Sequence, residues 1–409
     1  MSVQPIEGGI TAPKGFKAAG VKAGIKKDKL DLAVIYSELP ATAALAYTQN
    51  KARAAPIEVM MQDSPRLLRA FVINSGNANA LTGARGMADA RLMQASVAAP
   101  LGLEPKQVGV ASTGVIGRFL PMDKVVPGIA LAVKQLERGT EADVEAAKAI
   151  MTTDTRLKSF ACQVTLRDGT LATVAGIAKG SGMISPAMRT LHATTLSFIT
   201  TDANVKADPS PQWQKVMDSS FNVINVDGDQ STNDISAFMA NGAAGGAAAD
   251  DDPALWEGVS FIAKSLAKAV VIDGEGATKL IEVIVTGAKD DNEARIAARS
   301  IVASNLVKAA VFGADPNFGR ILAALGNSGS DFDLSKVRLT LKNGVGVVLF
   351  EHGTPVILPE SPDETTARGI LHEKRIQILL ELGVGAGKGE AWGCDLSYDY
   401  VRINASYTT

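Results

Sequence analysis

The stretch HATTLSFITTDA, residues 192–203, sets Thr, Ile and Phe in short alternation behind a histidine and an alanine. That composition suits a half-buried strand. Similar β-type runs stand at LDLAVIY (30–36), AFVINSG (70–76), QVGVASTG (107–114) and TLATVAGIA (170–178). Helical patterns alternate with them, at ALTGARGMADARLMQASVAAPLG (80–102) and EADVEAAKAIM (141–151). After residue 200 the alternation returns in looser form. A strand is expected at SFNVINVD (220–227), helices at 252–270 and 292–313, and a hairpin at VRLTLKNGVGVVLFEHG (337–353) around its KNG turn. The run NGAAGGAAADDDP (241–253) reads as a solvated linker. The predicted class is α/β, with layered sheets covered by helices.

A chain of 409 residues exceeds the roughly 250–300 residues at which single cores stop growing, so two or more lobes are expected. Its 41 basic and 43 acidic residues leave a net charge of -2 with no long basic run, which argues against a nucleic-acid partner. Only Cys162 and Cys394 are present, too few for a disulfide framework or an all-cysteine zinc site. The start resembles no export signal and no segment stays apolar for the about 18 residues of a membrane span, so a soluble, cytoplasmic protein is expected. Histidine is confined to His192, His352 and His372, which leaves little material for a histidine triad or metal site.

Three motif readings fail on spacing. ELGVGAGKGE has Leu382 where a P-loop needs its first glycine, and Gly389 where Ser or Thr should follow Lys388. GVASTGVIG (109–117) lacks the dinucleotide spacing. DGDQSTND offers Asp227, Asp229 and Ser231 at alternate positions, but Thr232 and Phe238 stand where a calcium loop needs Gly and Glu. No cofactor and no obligatory metal are expected.

Without histidine, acyl chemistry can use a threonine. Its hydroxyl can attack the preceding carbonyl, and hydrolysis of the ester leaves that threonine as a new N-terminus. The freed α-amine, with an ordinary pKa of roughly 7.7–8.0, can then act as base for its own hydroxyl. Acyl transfer also needs donors for the developing oxyanion, and STGVIG (112–117) supplies hydroxyls and backbone N–H groups at a strand end. Upstream, AKGSGMISPAM carries Lys179 in a flexible, cationic turn.

Eight blocks in order, STGVIG, MTTDT, KGSGMI, ATTLSFITTDA, VDGDQSTND, GEGATKLIEV, FGADPNFGRILAA and the ending AWGCDLSYDYVRINASYTT, resemble the ornithine acetyltransferase family, the bifunctional glutamate N-acetyltransferases of arginine biosynthesis. The resemblance implies a DmpA/ArgJ-like fold with the site between two lobes. It implies acetyl transfer from N2-acetylornithine to glutamate by a ping-pong route, with acetyl-CoA as a donor in some members. It further implies cleavage between Ala193 and Thr194 into an α chain, 1–193, and a β chain, 194–409, assembled as α2β2 or larger. Carried onto matching positions, Thr194 is the nucleophile and Thr113 and Gly114 are the oxyanion donors. Thr152, Lys179, Thr194, Glu275, Asn404 and Thr409 are the substrate-binding positions. A lysine suits the substrate carboxylate and a glutamate its ammonium.

One departure stands out. Against the family pattern K-G-x-G-M-[IL]-x-P-x-[ML]-A-T-M-L, the residues RTLH (189–192) intervene before Ala193, and Thr195 replaces the second Met. Thr190 as an alternative cleavage residue fails on its downstream register. His192 reads as a loop residue more than as a cleavage base. A related self-cleaving amidase or aminopeptidase, with water as acceptor, is the alternative activity.

Overall fold

A computed structural model describes residues 3–185 and 195–406. Among the described residues, two sheets form, of nine and seven strands. In the first, the strands run in the order Val3–Ile6, Lys158–Thr165, Leu171–Lys179, Leu196–Thr201, Ile235–Ala240, Leu32–Tyr47, Leu67–Asn77 and Val108–Val115, with Phe16–Val21 added on Leu32–Tyr47. The opening stretch is therefore a strand from Leu196, and all six of its residues are buried. It lies in the middle of the sheet, antiparallel to Leu171–Lys179 and parallel to Ile235–Ala240. Burial on both faces explains its unbroken apolar and small-residue character.

Two cores flank this sheet. One face packs Phe71, Ile73, Phe198 and Ile235 against helices that include Gly83–Leu101 and Met122–Lys134. The other packs Val164, Val174 and Ile199 against the helix Pro253–Ile272, whose Leu255, Val259, Ile262, Leu266 and Val270 recur at helical spacing. That helix starts where Asp252 accepts the Ala254 N–H at 2.9 Å and Pro253 fills the first turn. Its far side touches the second sheet, where Lys268 pairs with Glu282 at 2.9 Å. The second sheet runs Thr354–Pro355, Val345–Glu351, Arg338–Asn343, Arg375–Glu381, Leu280–Ala288, Gly387–Cys394 and Ile224–Asn225.

Three sequence expectations are corrected. Within residues 220–227 a 3-10 turn, Phe221–Val223, leaves only the two-residue strand Ile224–Asn225. Local bonds from Ser220 Oγ to the Val216 carbonyl, 2.6 Å, and from Asn222 Nδ2 to Asp218, 2.7 Å, hold the backbone in the turn. The helix expected over 292–313 is two, Asp291–Ala303 and Asn305–Phe312, because Ser304 turns extended and caps the second through the Val307 N–H. Residues 241–253 form a clamped loop instead of a solvated linker. Asn241 donates to the Lys14 carbonyl at 3.0 Å, Asp168 accepts from the Ala247 N–H at 2.7 Å, and Ala249 and Asp252 are buried. No described helix is long and apolar enough to cross a membrane.

Candidate functional site

A cleft open to solvent lies where the two sheets meet. The first sheet contributes Thr113 and Gly114 from the end of Val108–Val115, Lys179 from the end of Leu171–Lys179, and Thr152 from the loop between them. The second sheet's side contributes Asp227 and Asp229 beyond Ile224–Asn225, Glu275 from the turn before Leu280–Ala288, and Tyr400 and Asn404 from the helix Tyr398–Ser406. Six residues singled out in the sequence are thereby gathered in one place: Thr113, Gly114, Thr152, Lys179, Glu275 and Asn404. Ala193, Thr194, Thr409 and the four residues 189–192 lie outside the described residues.

At one end the chemistry is cationic and rich in hydroxyls. Lys179 is buried, and its Nζ donates to Thr113 Oγ1 at 3.3 Å. Burial pushes its ammonium below the usual lysine range, while Asp154, Asp234 and Glu275 pull it back up. Gly114 adopts φ 133°, and a Cβ there would meet the Gly76 carbonyl carbon at 2.3 Å, so only glycine lets the two strand ends approach. Asn233 braces the same strand end by donating to the Ser112 carbonyl at 2.8 Å and the Ala78 carbonyl at 2.5 Å.

The second sheet's side contributes carboxylates. Asn404 Nδ2 donates to Glu275 Oε2 at 2.9 Å, tying the last described helix to the turn that carries Glu275. Gly276 seats this contact at φ 71°, with a would-be Cβ only 2.5 Å from the Tyr400 nitrogen. Asp227 accepts the N–H groups of Met183, at 2.6 Å, and Ile184, at 2.9 Å. Burial nonetheless leaves its carboxyl above the usual range. Burial, with Asp227, Asp229 and Glu275 nearby, keeps the Tyr400 phenol protonated.

Beneath the cleft lies a buried ion network that sequence reading missed. Lys158 Nζ reaches Asp154 at 2.7 Å and Asp273 at 2.6 Å. Asp154 also accepts the Thr152 N–H at 2.9 Å and the Gly180 N–H at 2.7 Å, so one carboxylate fixes two cleft segments. Burial raises its pKa, but Lys179, Lys158 and the Gly180 N–H outweigh that and hold it at about 2. Asp273 accepts the N–H groups of Thr155 and Arg156 and the Thr155 hydroxyl. Asp154 belongs to the MTTDT block, two residues past Thr152, and that spacing was the available signal. Lys158 and Asp273 carried none, because only folding joins them.

Asp227 and Asp229, weighed above as calcium ligands, line the cleft instead. Among the described residues, no group of three or more His, Cys, Asp or Glu is arranged to hold a metal ion. His352 and His372 do not line the cleft.

A pocket that brings together an ammonium, hydroxyls and carboxylates has the chemistry to hold a small zwitterion of the amino-acid class. The ArgJ family model matches residues 17–409, and the chain belongs to that family. It is 47% identical over 411 positions to the "Arginine biosynthesis bifunctional protein ArgJ" of Caldanaerobacter subterraneus subsp. tengcongensis, with 99% of each chain covered. It is also 47% identical over 406 positions to the protein of that name from Thermotoga neapolitana, covering 97% of this chain and 99% of that one. A crystal structure of ornithine acetyltransferase complexed with ornithine, from Mycobacterium tuberculosis, is similar over 46% of this chain and 99% of its own at 42% identity, with a TM-score of 0.43.

Proposed function

We propose that the protein transfers the acetyl group of N2-acetyl-L-ornithine to L-glutamate, giving L-ornithine and N-acetyl-L-glutamate. The reading rests most on one observation: residues from five distant stretches, each singled out before folding, line one cleft in a chain of the ArgJ family. In the first half-reaction the Thr194 hydroxyl attacks the acetyl carbonyl, and ornithine leaves as the amine. In the second, the glutamate amine attacks the acetyl ester and regenerates the hydroxyl. Thr113 and Gly114 are the donors for the oxyanion of both tetrahedral intermediates. Lys179 and Thr152 bind the carboxylate end of the amino acid, and Glu275, Asn404 and Thr409 bind its ammonium end.

The active form is proposed to arise by cleavage between Ala193 and Thr194. Strand order supports the persistence of such a pair. Leu196–Thr201 and Ile235–Ala240, from the 194–409 side, sit between Leu171–Lys179 and Leu32–Tyr47, from the 1–193 side. The fragments would share backbone ladders at two seams, so cutting the chain leaves the sheet bonded. Assembly of these pairs into α2β2 or larger particles, in the cytoplasm, completes the proposal.

The test is direct. Purified protein is given acetylornithine with and without glutamate, and ornithine release is followed. Release only with glutamate supports transfer. Release without it, with free acetate, replaces the reading by hydrolysis to water. No release in either case overturns it. The same assay with acetyl-CoA in place of acetylornithine tests the second donor.

A further inference from the structure

N2-acetylornithine carries a side-chain ammonium and glutamate a side-chain carboxylate, yet a ping-pong site takes both in turn. Among the described residues that line the cleft, Lys179 alone is cationic, while Asp227, Asp229 and Glu275 are acids. Carboxylates that attract the ammonium repel the carboxylate by the same Coulomb law. A side chain among them that can donate a hydrogen bond to an anion, and accept one from a cation, resolves the conflict.

Tyr400 has that chemistry. It lines the cleft from the helix Tyr398–Ser406, and Asp227, Asp229 and Glu275 all act on its phenol. Burial and those neighbours keep the phenol protonated, so its O–H donates and its oxygen accepts. The O–H bonds to the Asp227 carboxyl. Asp227 does not depend on that bond, because it also accepts the backbone N–H groups of Met183 at 2.6 Å, Ile184 at 2.9 Å and Asp229 at 3.2 Å. The phenol can turn away and leave a satisfied carboxyl behind. Asn404, one helical turn further on, cannot take its place as a donor. Its Nδ2 donates to Glu275 Oε2 at 2.9 Å and to the Tyr400 carbonyl at 3.0 Å, so both amide hydrogens are taken.

We propose that Tyr400 is a specificity-determining residue, the part of the cleft that lets one subsite take amino-acid side chains ending in either an ammonium or a carboxylate. This rests on the acetyl-transfer reading given under Proposed function. With acetylornithine bound, the phenol donates to Asp227, and its oxygen joins the Asp229 and Glu275 carboxylates in accepting from the side-chain ammonium. With glutamate bound, the O–H swings from Asp227 to the side-chain carboxylate. That charge-assisted hydrogen bond offsets the repulsion from the acidic neighbours. No proton changes owner between the two states, since only the hydroxyl rotor and the ligand differ.

The experiment titrates L-ornithine and L-glutamate separately into wild type and Tyr400→Phe by calorimetry, with melting to check the fold. The two ligands differ only in their side chains, and phenylalanine keeps the ring while removing the O–H. The Kd for glutamate should rise by about 10- to 100-fold, the loss expected for a hydrogen bond to a charged group, and that for ornithine by less than about threefold. Equal losses for the two ligands, or an unchanged Kd for glutamate, overturn the proposal. Should Tyr400→Phe fail to fold, Asp229→Asn removes one exposed carboxylate from the same subsite. Ornithine should then bind about two- to fivefold more weakly and glutamate more tightly by a similar factor, the scale of an exposed ion pair. Shifts of the same sign, or none, overturn the proposal. Wild type that binds both amino acids with this split between variants, but releases no ornithine from acetylornithine, refutes the activity reading and leaves the subsite standing. Wild type that transfers acetyl to glutamate, without the split in Tyr400→Phe, refutes the subsite alone.

Discussion

Lys158→Met tests whether the buried network beneath the cleft is structural and functional at once. The lysine is 1% exposed, and its carboxylate partners Asp154 and Asp273 are 0% and 2% exposed. Methionine fills similar space but leaves two buried carboxylates without their shared cation. Removing one partner of a buried ion pair costs about 3–5 kcal/mol. An unfolding entropy of about 2.1 cal/mol/K per residue gives about 0.9 kcal/mol/K for a chain of 409 residues, so Tm should fall by about 4–6 °C. If the first sheet's lobe melts by itself, the drop roughly doubles, since about half the residues share the loss. Calorimetry at pH 7 reads the shift, and KM for acetylornithine should rise in parallel, because Asp154 holds both the Thr152 and the Gly180 N–H groups. A Tm within about 1 °C of wild type, with KM unchanged, would refute the reasoning.

The same network sets an acid limit. Asp154 is held at about 2, below its ordinary value of 3.8, so its ionised form stabilises the fold above pH 4 and that contribution is lost as pH falls from 4 toward 2. Acid unfolding of wild type and Asp154→Asn should therefore converge at low pH, and curves that stay parallel would contradict this. Lys26, whose Nζ donates to the Met151 carbonyl at 2.9 Å, is lowered to about 8 mainly by burial. A lysine depressed in the fold adds stability as pH rises from about 8 to 10.5, so the Tm difference between wild type and Lys26→Met should change over that window. Gly276→Ala should displace the helix Tyr398–Ser406 from the Glu275 turn, raising KM at least about tenfold with a stability loss of only about 1–3 kcal/mol, read by kinetics and melting together. Thr194→Ala should remain a single uncut chain on a denaturing gel, and two bands from that variant would refute the assignment of the cleavage residue.

Strands and helices with strong periodicity were legible from local chemistry. The run at 70–76 lies within an observed strand, those at 107–114 and 170–178 begin one residue before theirs, and the helix expected over 252–270 is Pro253–Ile272. Reading failed where side chains bonded back to nearby backbone or side-chain groups. Ser220 and Asn222 turned an expected strand into a 3-10 turn, and Ser304 divided an expected helix. The cleft residues quoted in family blocks were legible one by one. Their partners were not: Asp273 stands 115 residues from Lys158, and nothing local marks either as a member of a pair.

By itself the sequence determined the chemistry available: scarce histidine, a threonine at the head of a strand, glycines at close-approach points, and a lysine and a glutamate suited to the two ends of an amino acid. Tertiary structure decided which of these meet. Parallel and antiparallel ladders bring Ile235 and Lys179 to the two sides of one strand head, and the contact between two sheets brings Glu275 and Asn404 into one cleft with Thr113. The physical reason is range. Propensity and turn chemistry act over a few neighbouring residues, whereas the position of a buried charge is set by whatever opposite charge and hydrogen-bond donors folding encloses with it.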